Sequence, residues 1–332
     1  MPPSLKPLLL LLALAGLAAP GFAAESFLRP HDVIALVGGE DMVAASEYGY
    51  LELLLVRALP DYQLRFRNLA WEGDTVFEQR RDLNFPPLEE QLDKIGATVV
   101  IAQFGQMESL AGKEKLPEFI AAYEKLIERM SGGGKRRLIV LSPLPFDDGS
   151  TKTVGDLRNS VLSDYAESIA ALAKNYHALF IDSFKERFGI IEFLHRDDGK
   201  PYRRPRLRVW TRDGVHLNED GHRGWAEVTG RMLKEAKILS DGEYKLASQA
   251  ATGAGMETGL RQIIRAKNRL WFHYWRPQNW AFLNGDRINQ PSSRDHLDPS
   301  KRWFPDEIEQ FVPLIEAKER EIDQLAAKLS KP

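Results

Sequence analysis

The residues best suited to chemistry are an aspartate and a histidine three positions apart, within residues 210–218. Asp213 precedes His216 in a stretch that contains glycine, and a helical pattern follows directly over residues 219–234. A nearby carboxylate holds an imidazole in one tautomer and stabilises its protonated form. We therefore predict that His216 is a general base and that Asp213 orients it, although an aspartate here could also simply cap the local turn.

The composition limits what this pair could act on. The chain has 332 residues and a formal net charge of -2, which argues against nucleic acid and anionic membranes as partners. It contains no cysteine, which excludes disulfides, thiol nucleophiles and thiolate-bound metals. No group of histidines and carboxylates has the spacing of a metal site. We predict no cofactor and no metal, and a small molecule or a carbohydrate as the substrate.

Residues 1–24 differ from the rest of the chain. Lys6 is their only charge, an apolar run covers residues 8–17, and Pro20 is followed by small residues suitable for cleavage. The run is too short to span a bilayer. We predict a secretory signal peptide, a mature protein exported to the periplasm or the extracellular space, and no membrane span after cleavage.

Five apolar runs alternate with helical patterns along the next part of the chain. Such alternation predicts an α/β fold, a doubly wound and mostly parallel sheet with helices on both faces. Ligands bind beyond the carboxyl ends of the strands in such sheets, and the loops at those ends hold polar or glycine-rich residues. The predicted strands are residues 32–37, 64–68, 98–103, 137–141 and 179–182, and the predicted helices include 47–58, 117–130 and 154–176.

The order and content of these loops resemble the SGNH (GDSL-like) hydrolases over residues 31–236. Asp213 and His216 match the Asp-x-x-His pair of that family, and Gly73 matches the glycine that follows its second strand. The resemblance implies a flavodoxin-like sheet and hydrolysis of ester bonds. It also implies that Gly73 supplies a backbone donor to the oxyanion.

Two positions depart from the family pattern, and both concern the chemistry. Glu40 stands where the family has its nucleophilic serine, and Met107 stands where an asparagine completes the oxyanion hole. Glu40 is a candidate catalytic residue, while Met107 is expected to pack. The loops of these two residues supply further candidates for substrate binding, namely Gly39, Asp41, Gly105, Gln106 and Glu108.

Three functional hypotheses remain open. His216 could act directly on water, with Glu40 or Asp41 as a second carboxylate. Another hydroxyl could serve as the nucleophile, from Ser46, Thr75, Ser109 or Ser142. The leading hypothesis is hydrolysis of an ester, an acyl ester of a carbohydrate, at a non-standard active site. The alternative is a catalytically inactive binding protein for a carbohydrate or another ligand on the same fold.

The sequence divides into a hydrolase-like domain over residues 25–239 and a C-terminal helical extension over residues 240–332 that packs on it. Residues 247–259 are small and rich in glycine, which favours a linker. Residues 260–283 are rich in aromatic side chains, most of which we expect in the core, and residues 304–331 predict an amphipathic helix. Polar residues among the rings are candidates to line the pocket, namely His273, Arg276 and Asn279.

Overall fold

The protein is built on one parallel five-stranded sheet. The computed structural model describes residues 26–81, 83–147, 157–187, 210–252 and 256–330. The strand order is β2-β1-β3-β4-β5, and every neighbouring pair is parallel. The α/β fold predicted from the sequence is confirmed, and each strand begins and ends within one residue of its predicted run. The strands are β1 (Val33–Gly38), β2 (Arg65–Asn68), β3 (Val99–Gln103), β4 (Arg137–Leu141) and β5 (Leu179–Ile181).

Helices cover both faces of this sheet. They are α1 (Glu40–Tyr48), α2 (Tyr50–Ala58), α3 (Leu88–Lys94), α4 (Gln106–Ser109), α5 (Leu116–Ser131), α6 (Leu157–Asn175), α7 (Glu219–Glu235), α8 (Asp241–Thr252), α9 (Met256–Trp275), α10 (Trp280–Leu283), α11 (Trp303–Glu309) and α12 (Phe311–Leu329).

Side chains that alternate along β1 belong to two separate cores. Ile34 and Leu36 pack in one core with α2, α7 and α9, whereas Ala35 and Val37 pack in the other with α5 and α6. A strand buried on both faces needs apolar residues at every position, because its side chains alternate between the faces. This explains why the strands were recognisable as continuous apolar runs.

The segment after β1 differs from its prediction. The single helix predicted over residues 47–58 is wrong: Gly49 has a φ of 74° and separates α1 from α2. Helix α1 instead begins at Glu40, directly after the two glycines. A Cβ at Gly38 would lie 2.6 Å from the carbonyl oxygen of Gln103 and 2.7 Å from Cγ of Met42. Only glycine therefore lets the chain turn from β1 into α1 so close to β3.

The C-terminal extension is more helical than predicted. The linker predicted over residues 247–259 is wrong at both of its ends, because α8 continues to Thr252 and buries Ala247, and α9 begins at Met256. Residues 253–255 lie outside the described residues. The single helix predicted over residues 304–331 is two helices that meet at Gln310. Pro313 lies in the first turn of α12, where a residue without an N–H group is tolerated, so the break precedes it.

Ion pairs join the extension to the sheet and to α2. Lys267 of α9 is buried and lies 2.8 Å from Oε1 of Glu52 on α2. On α12, Glu319 accepts a 2.5 Å hydrogen bond from Arg67 of β2 and lies 3.4 Å from Arg65. The extension therefore covers the β2 edge of the sheet.

None of the helices in the described ranges is both long and apolar enough to cross a membrane. The predicted signal peptide lies outside the described residues.

Candidate active site

A small cavity lies where the carboxyl ends of β1, β3 and β4 meet the loop that precedes α7. Its volume is about 60 Å³. Residues from all of these elements line it, which is the position expected for a ligand site in a parallel sheet. The lining comprises Gly39, Glu40, Asp41, Asp74, Gln103, Phe104, Gly105, Gln106, Met107, Glu108, Pro143, Leu144 and His216.

His216 lies between two carboxylates at the edge of this cavity. Its Nδ1 is 2.7 Å from Oδ2 of Asp213, and its Nε2 is 3.0 Å from Oε2 of Glu40. With a proton on each ring nitrogen, the imidazole donates to both carboxylates at once, whereas a neutral ring can donate to only one. The three side chains form a continuous line, Asp213 to His216 to Glu40.

Asp213 also shapes the loop that presents the histidine. Its Oδ1 accepts hydrogen bonds from the amides of Val215, at 2.9 Å, and His216, at 2.8 Å. Burial alone would raise the pKa of Asp213, but the His216 ring and these amides hold it far below its ordinary value. Asp213 therefore both caps the turn and orients the ring, and a charged carboxylate serves both roles.

Asp41 holds the other side of the same loop. It is 8% exposed, and its Oδ1 accepts a 2.9 Å hydrogen bond from the amide of Leu217, the residue after His216. Burial raises the pKa of Asp41 to about 6, although the bond from Leu217 lowers it. Asp41 lines the cavity as predicted for a substrate-binding residue, but its bonded oxygen fixes the backbone beside His216.

Glu40 has a second partner that the sequence analysis missed. One oxygen faces His216, and the other pairs with the guanidinium of Arg212. Arg212 lies beside Asp213 in the sequence, yet no spacing rule relates it to Glu40. Glu40 and Asp41 are also the acids in the first turn of α1, where the helix dipole favours negative charge.

The loop after β3 uses its polar groups internally. The buried carboxylate of Glu108 accepts from the amides of Gly105 and Val76, each at 2.9 Å. Gln106 donates from Nε2 to the carbonyl oxygens of Leu144, at 3.0 Å, and Val215, at 3.4 Å. Gly105, Gln106 and Glu108 thus line the cavity, but these donors and acceptors already have partners.

Met107 and Gly73 occupy positions other than those predicted. Met107 was expected to pack, but it is 52% exposed and lines the cavity. Gly73 is exposed, does not line the cavity, and has a φ of 83° in the turn that joins Trp71 to Asp74. Its neighbour Asp74 lines the cavity instead and is paired with Arg81 at 2.7 Å. The structure therefore does not place Gly73 as a donor in the cavity wall.

None of the four candidate hydroxyls lines the cavity with His216. Ser142 is buried and its Oγ accepts from the amide of Phe184 at 2.8 Å, while Ser109 donates to the carbonyl of Gln106 at 2.7 Å. Thr75 accepts from the amide of Glu78 at 3.3 Å, and Ser46 accepts from Asn68 at 2.8 Å. Each of these four hydroxyls therefore already has a hydrogen-bond partner.

The three candidates from the extension lie outside this cavity. His273 is exposed, with its ring centroid 6.5 Å from that of Phe311. Asn279 precedes α10. Arg276 donates to Oε2 of Glu72 at 2.8 Å and lies over the ring of Trp71. Arg276 lines a different cavity.

Most of the aromatic rings of the extension are partly buried, and their indoles attach it to the α/β domain. Trp271 is buried and donates to the carbonyl of Asn68 at 2.9 Å. Trp275 donates to Oε1 of Gln91 at 2.7 Å, and Trp280 donates to the carbonyl of Leu83 at 2.8 Å. Phe272 is 42% exposed. In the described ranges, no three histidine or carboxylate side chains are grouped as a metal site requires.

Known proteins are similar to this chain in sequence pattern and in fold. The model of the GDSL-like lipase/acylhydrolase family matches residues 35–223. No curated protein matches the chain in sequence. A gut microbial diltiazem-metabolizing enzyme is similar in structure, with a TM-score of 0.55 and 12% identity, over 92% of this chain and 95% of that chain. The fold similarity therefore includes the extension.

Two solved esterases are similar over a smaller part of the chain. The acetyl xylan esterase AlAXEase has a TM-score of 0.44 and 18% identity, over 60% of this chain and 99% of that chain. Axe2, an acetylxylan esterase from Geobacillus stearothermophilus, has a TM-score of 0.41 and 16% identity, over 61% of this chain and 94% of that chain.

Proposed function

Since this chain belongs to the GDSL-like lipase/acylhydrolase family, we propose that it hydrolyses a short acyl ester of a carbohydrate by direct attack of water. The observation that carries the proposal is the line of hydrogen bonds from Asp213 through His216 to Glu40 at the cavity. It joins Glu40 as the base, His216 as the acid and Asp213 as the orienting carboxylate. The sequence analysis predicted His216 as the base, and its position between two carboxylates favours the protonated ring and hence the acid role.

A covalent serine mechanism does not fit this site. Glu40 occupies the nucleophile position, and a carboxylate that attacked an ester would form an unstable anhydride. Hydrolysis by water requires only that one group accept the proton of the water and another supply a proton to the leaving oxygen. Glu40 and His216 lie 3.0 Å apart and are placed to share these two tasks.

In the proposed reaction, Glu40 accepts a proton from water as the water oxygen bonds to the acyl carbon. Glu40 is then neutral and no longer opposes the developing oxyanion. His216 donates its Nε2 proton to the leaving alkoxide, the bond between the acyl carbon and that oxygen breaks, and an acid and an alcohol result. The proton that Glu40 took from water then passes to Nε2 of His216, 3.0 Å away, which restores the site. The amides of Glu40 and Asp41 are in the first turn of α1 and have no acceptor within that helix, so we assign them and Arg212 as donors to the oxyanion.

The size of the cavity supports a short acyl group. Its volume of about 60 Å³ exceeds the roughly 10–15 Å³ that one water molecule needs, so the attacking water fits beside a short acyl group. Carbohydrate as the alcohol carries over from the sequence prediction, and the assay with acetylated sugars below tests it.

One observation favours the alternative of a binding protein without turnover. Both oxygens of Glu40 already have a partner, Arg212 on one side and His216 on the other. If Arg212 holds Glu40 in place permanently, the carboxylate cannot accept a proton from water, and the cavity only binds a ligand.

Turnover of acetyl esters separates these functions. We expect the parent to hydrolyse 4-nitrophenyl acetate and acetylated sugars, and His216→Ala and Glu40→Gln each to reduce the rate about 100- to 10,000-fold. His296→Ala is the matched control, because His296 is exposed and remote from the cavity lining. Equal rates in the parent and in His216→Ala would contradict hydrolysis. Binding of an acetylated sugar without turnover would support the binding protein.

A second experiment tests the position of Glu40. Replacing Glu40→Ser together with Met107→Asn restores the family residues at both divergent positions. We expect this double variant to be labelled covalently by a fluorophosphonate, as seen by intact mass, whereas the parent is not. The double variant that also carries His216→Ala is the control. Labelling that does not depend on His216 would refute the assignment of position 40.

Export is part of the proposal, because residues 1–24 have the pattern of a signal peptide. N-terminal sequencing of the secreted protein should begin close to Glu25. A secreted product that retains Met1 would refute cleavage.

A further inference from the structure

A second cavity lies on the other side of helix α1, between that helix and α9. Its volume is about 310 Å³, at the lower end of the range for small-molecule sites. Val43, Ser46 and Glu47 of α1 form one wall, and the arginine-rich face of α9 forms the opposite wall. Nothing in the proposed hydrolysis uses this cavity.

Three arginines line this cavity. Arg265 and Arg269 lie on one face of α9 because an α-helix has 3.6 residues per turn, and like charges at such spacing repel one another, while Arg276 directly follows the helix. Two carboxylates share the lining, Glu47 and Glu72, so the guanidiniums outnumber them. The cavity therefore favours a ligand with a negative charge.

Trp71 and Glu72 hold Arg276 at the wall of this cavity. Its guanidinium lies 3.8 Å from the ring centroid of Trp71, and Glu72 accepts from Nη2 at 2.8 Å. Nη1 is buried out of reach of a ligand. Because Glu72 balances the charge of Arg276, Arg265 and Arg269 are the cations of the lining that a ligand can contact.

Arg269 and Glu47 supply complementary unpaired charges. Both are exposed, and neither side chain forms an ion pair with any residue in the ranges that the structure describes. Arg269 suits a carboxylate on the ligand, while Glu47 suits hydroxyl donors. Phe272 offers the exposed ring surface for a sugar ring between them.

We propose that this cavity binds a sugar acid, a hexuronate or the end of a uronate-containing chain. The carboxylate of the ligand contacts Arg265 and Arg269, its hydroxyls donate to Glu47, and its ring lies against Phe272. The assignment does not depend on turnover at His216, since it concerns binding alone.

Titration with D-glucuronate tests the proposal, with D-glucose and acetate as controls. Glucose lacks only the carboxylate, and acetate lacks the ring and its hydroxyls. Quenching of tryptophan fluorescence reports on binding, because Trp271 and Trp275 line the cavity. We expect glucuronate to bind about tenfold or more tightly than either control. Equal affinity for glucose and glucuronate would overturn the proposal, as would no binding of glucuronate.

Matched arginine variants locate the site. Arg265→Gln and Arg269→Gln should each weaken glucuronate binding about tenfold or more, whereas Arg320→Gln, on the exposed side of α12, should not change it. Arg269 is exposed and its replacement does not threaten folding, so it remains informative if Arg265→Gln is unstable. Unchanged affinity in Arg269→Gln would overturn the proposal. His216→Ala should bind glucuronate like the parent.

Discussion

Replacing Asp41 with asparagine is expected to stabilise the fold at neutral pH but not at about pH 4. Asp41 is 8% exposed, and burial raises the pKa of its carboxyl from 3.8 to about 6. The hydrogen bond from Leu217 and the charges of His216 and Arg212 offset this only in part. Above pH 6 the carboxyl of Asp41 is therefore ionised in the folded protein, and its ionisation costs more free energy there than in the unfolded chain.

The size and sign of the effect follow from this difference. The folded chain holds the proton more tightly than the unfolded chain, so the contribution of Asp41 to stability falls as the pH rises from about 4 to about 6 and is then constant. Each pKa unit corresponds to about 1.36 kcal/mol, which gives a total of about 3 kcal/mol. Asparagine is neutral throughout, and its carbonyl oxygen can still accept from the amide of Leu217.

Urea unfolding of the parent and Asp41→Asn between about pH 4 and pH 8 provides the measurement. The variant should match the parent at about pH 4 and exceed its free energy of unfolding by about 2–3 kcal/mol at pH 8. Asp286→Asn is the control, because Asp286 is exposed and should show no such trend. A difference between parent and Asp41→Asn that is the same at every pH would refute the reasoning.

Two further predictions concern packing. Lys267→Ala should lower the free energy of unfolding by about 3–5 kcal/mol, because it leaves Glu52 as a buried charge without its cation. The double variant Lys267→Met with Glu52→Leu should recover most of that loss, and urea unfolding measures both. Gly221→Ala should destabilise the His216 loop and reduce ester turnover, because the new Cβ would lie 2.1 Å from the carbonyl oxygen of Trp210. Gly242→Ala is the control, since a Cβ at Gly242 meets no atom within 4 Å and this substitution should be neutral or stabilising. Full stability and activity in Gly221→Ala would show that the loop can move aside.

The sheet was predictable from the sequence for a local reason. A strand covered on both faces must be apolar at nearly every position, so β1, β3 and β4 stand out as short runs of valine, isoleucine and leucine. Helix boundaries were less predictable where burial is not periodic. Helix α1 buries Asp41 along with Met42 and Ala45, and a helix with so short an apolar face does not produce a clear periodic pattern.

The sequence alone also determined which residues form the histidine loop. Asp213 and His216 are close in the chain, so their contact depends only on a short turn, and the motif was informative before any fold was known. Glu40 could be placed opposite them because the order of the loops along a parallel sheet brings the ends of β1 and the last loop to the same edge.

Only the tertiary structure decided which polar groups remain available. Arg212 meets Glu40 across 172 positions of the chain, Asp41 binds the backbone at Leu217, and Glu108 is satisfied by the amides of Gly105 and Val76. Such pairings depend on distances between segments that are remote in sequence. The sequence shows that a carboxylate is present but not whether another segment of the chain has already bonded to it. The position of the site follows from the order of the residues, whereas the chemistry open to Glu40 depends on its two long-range partners.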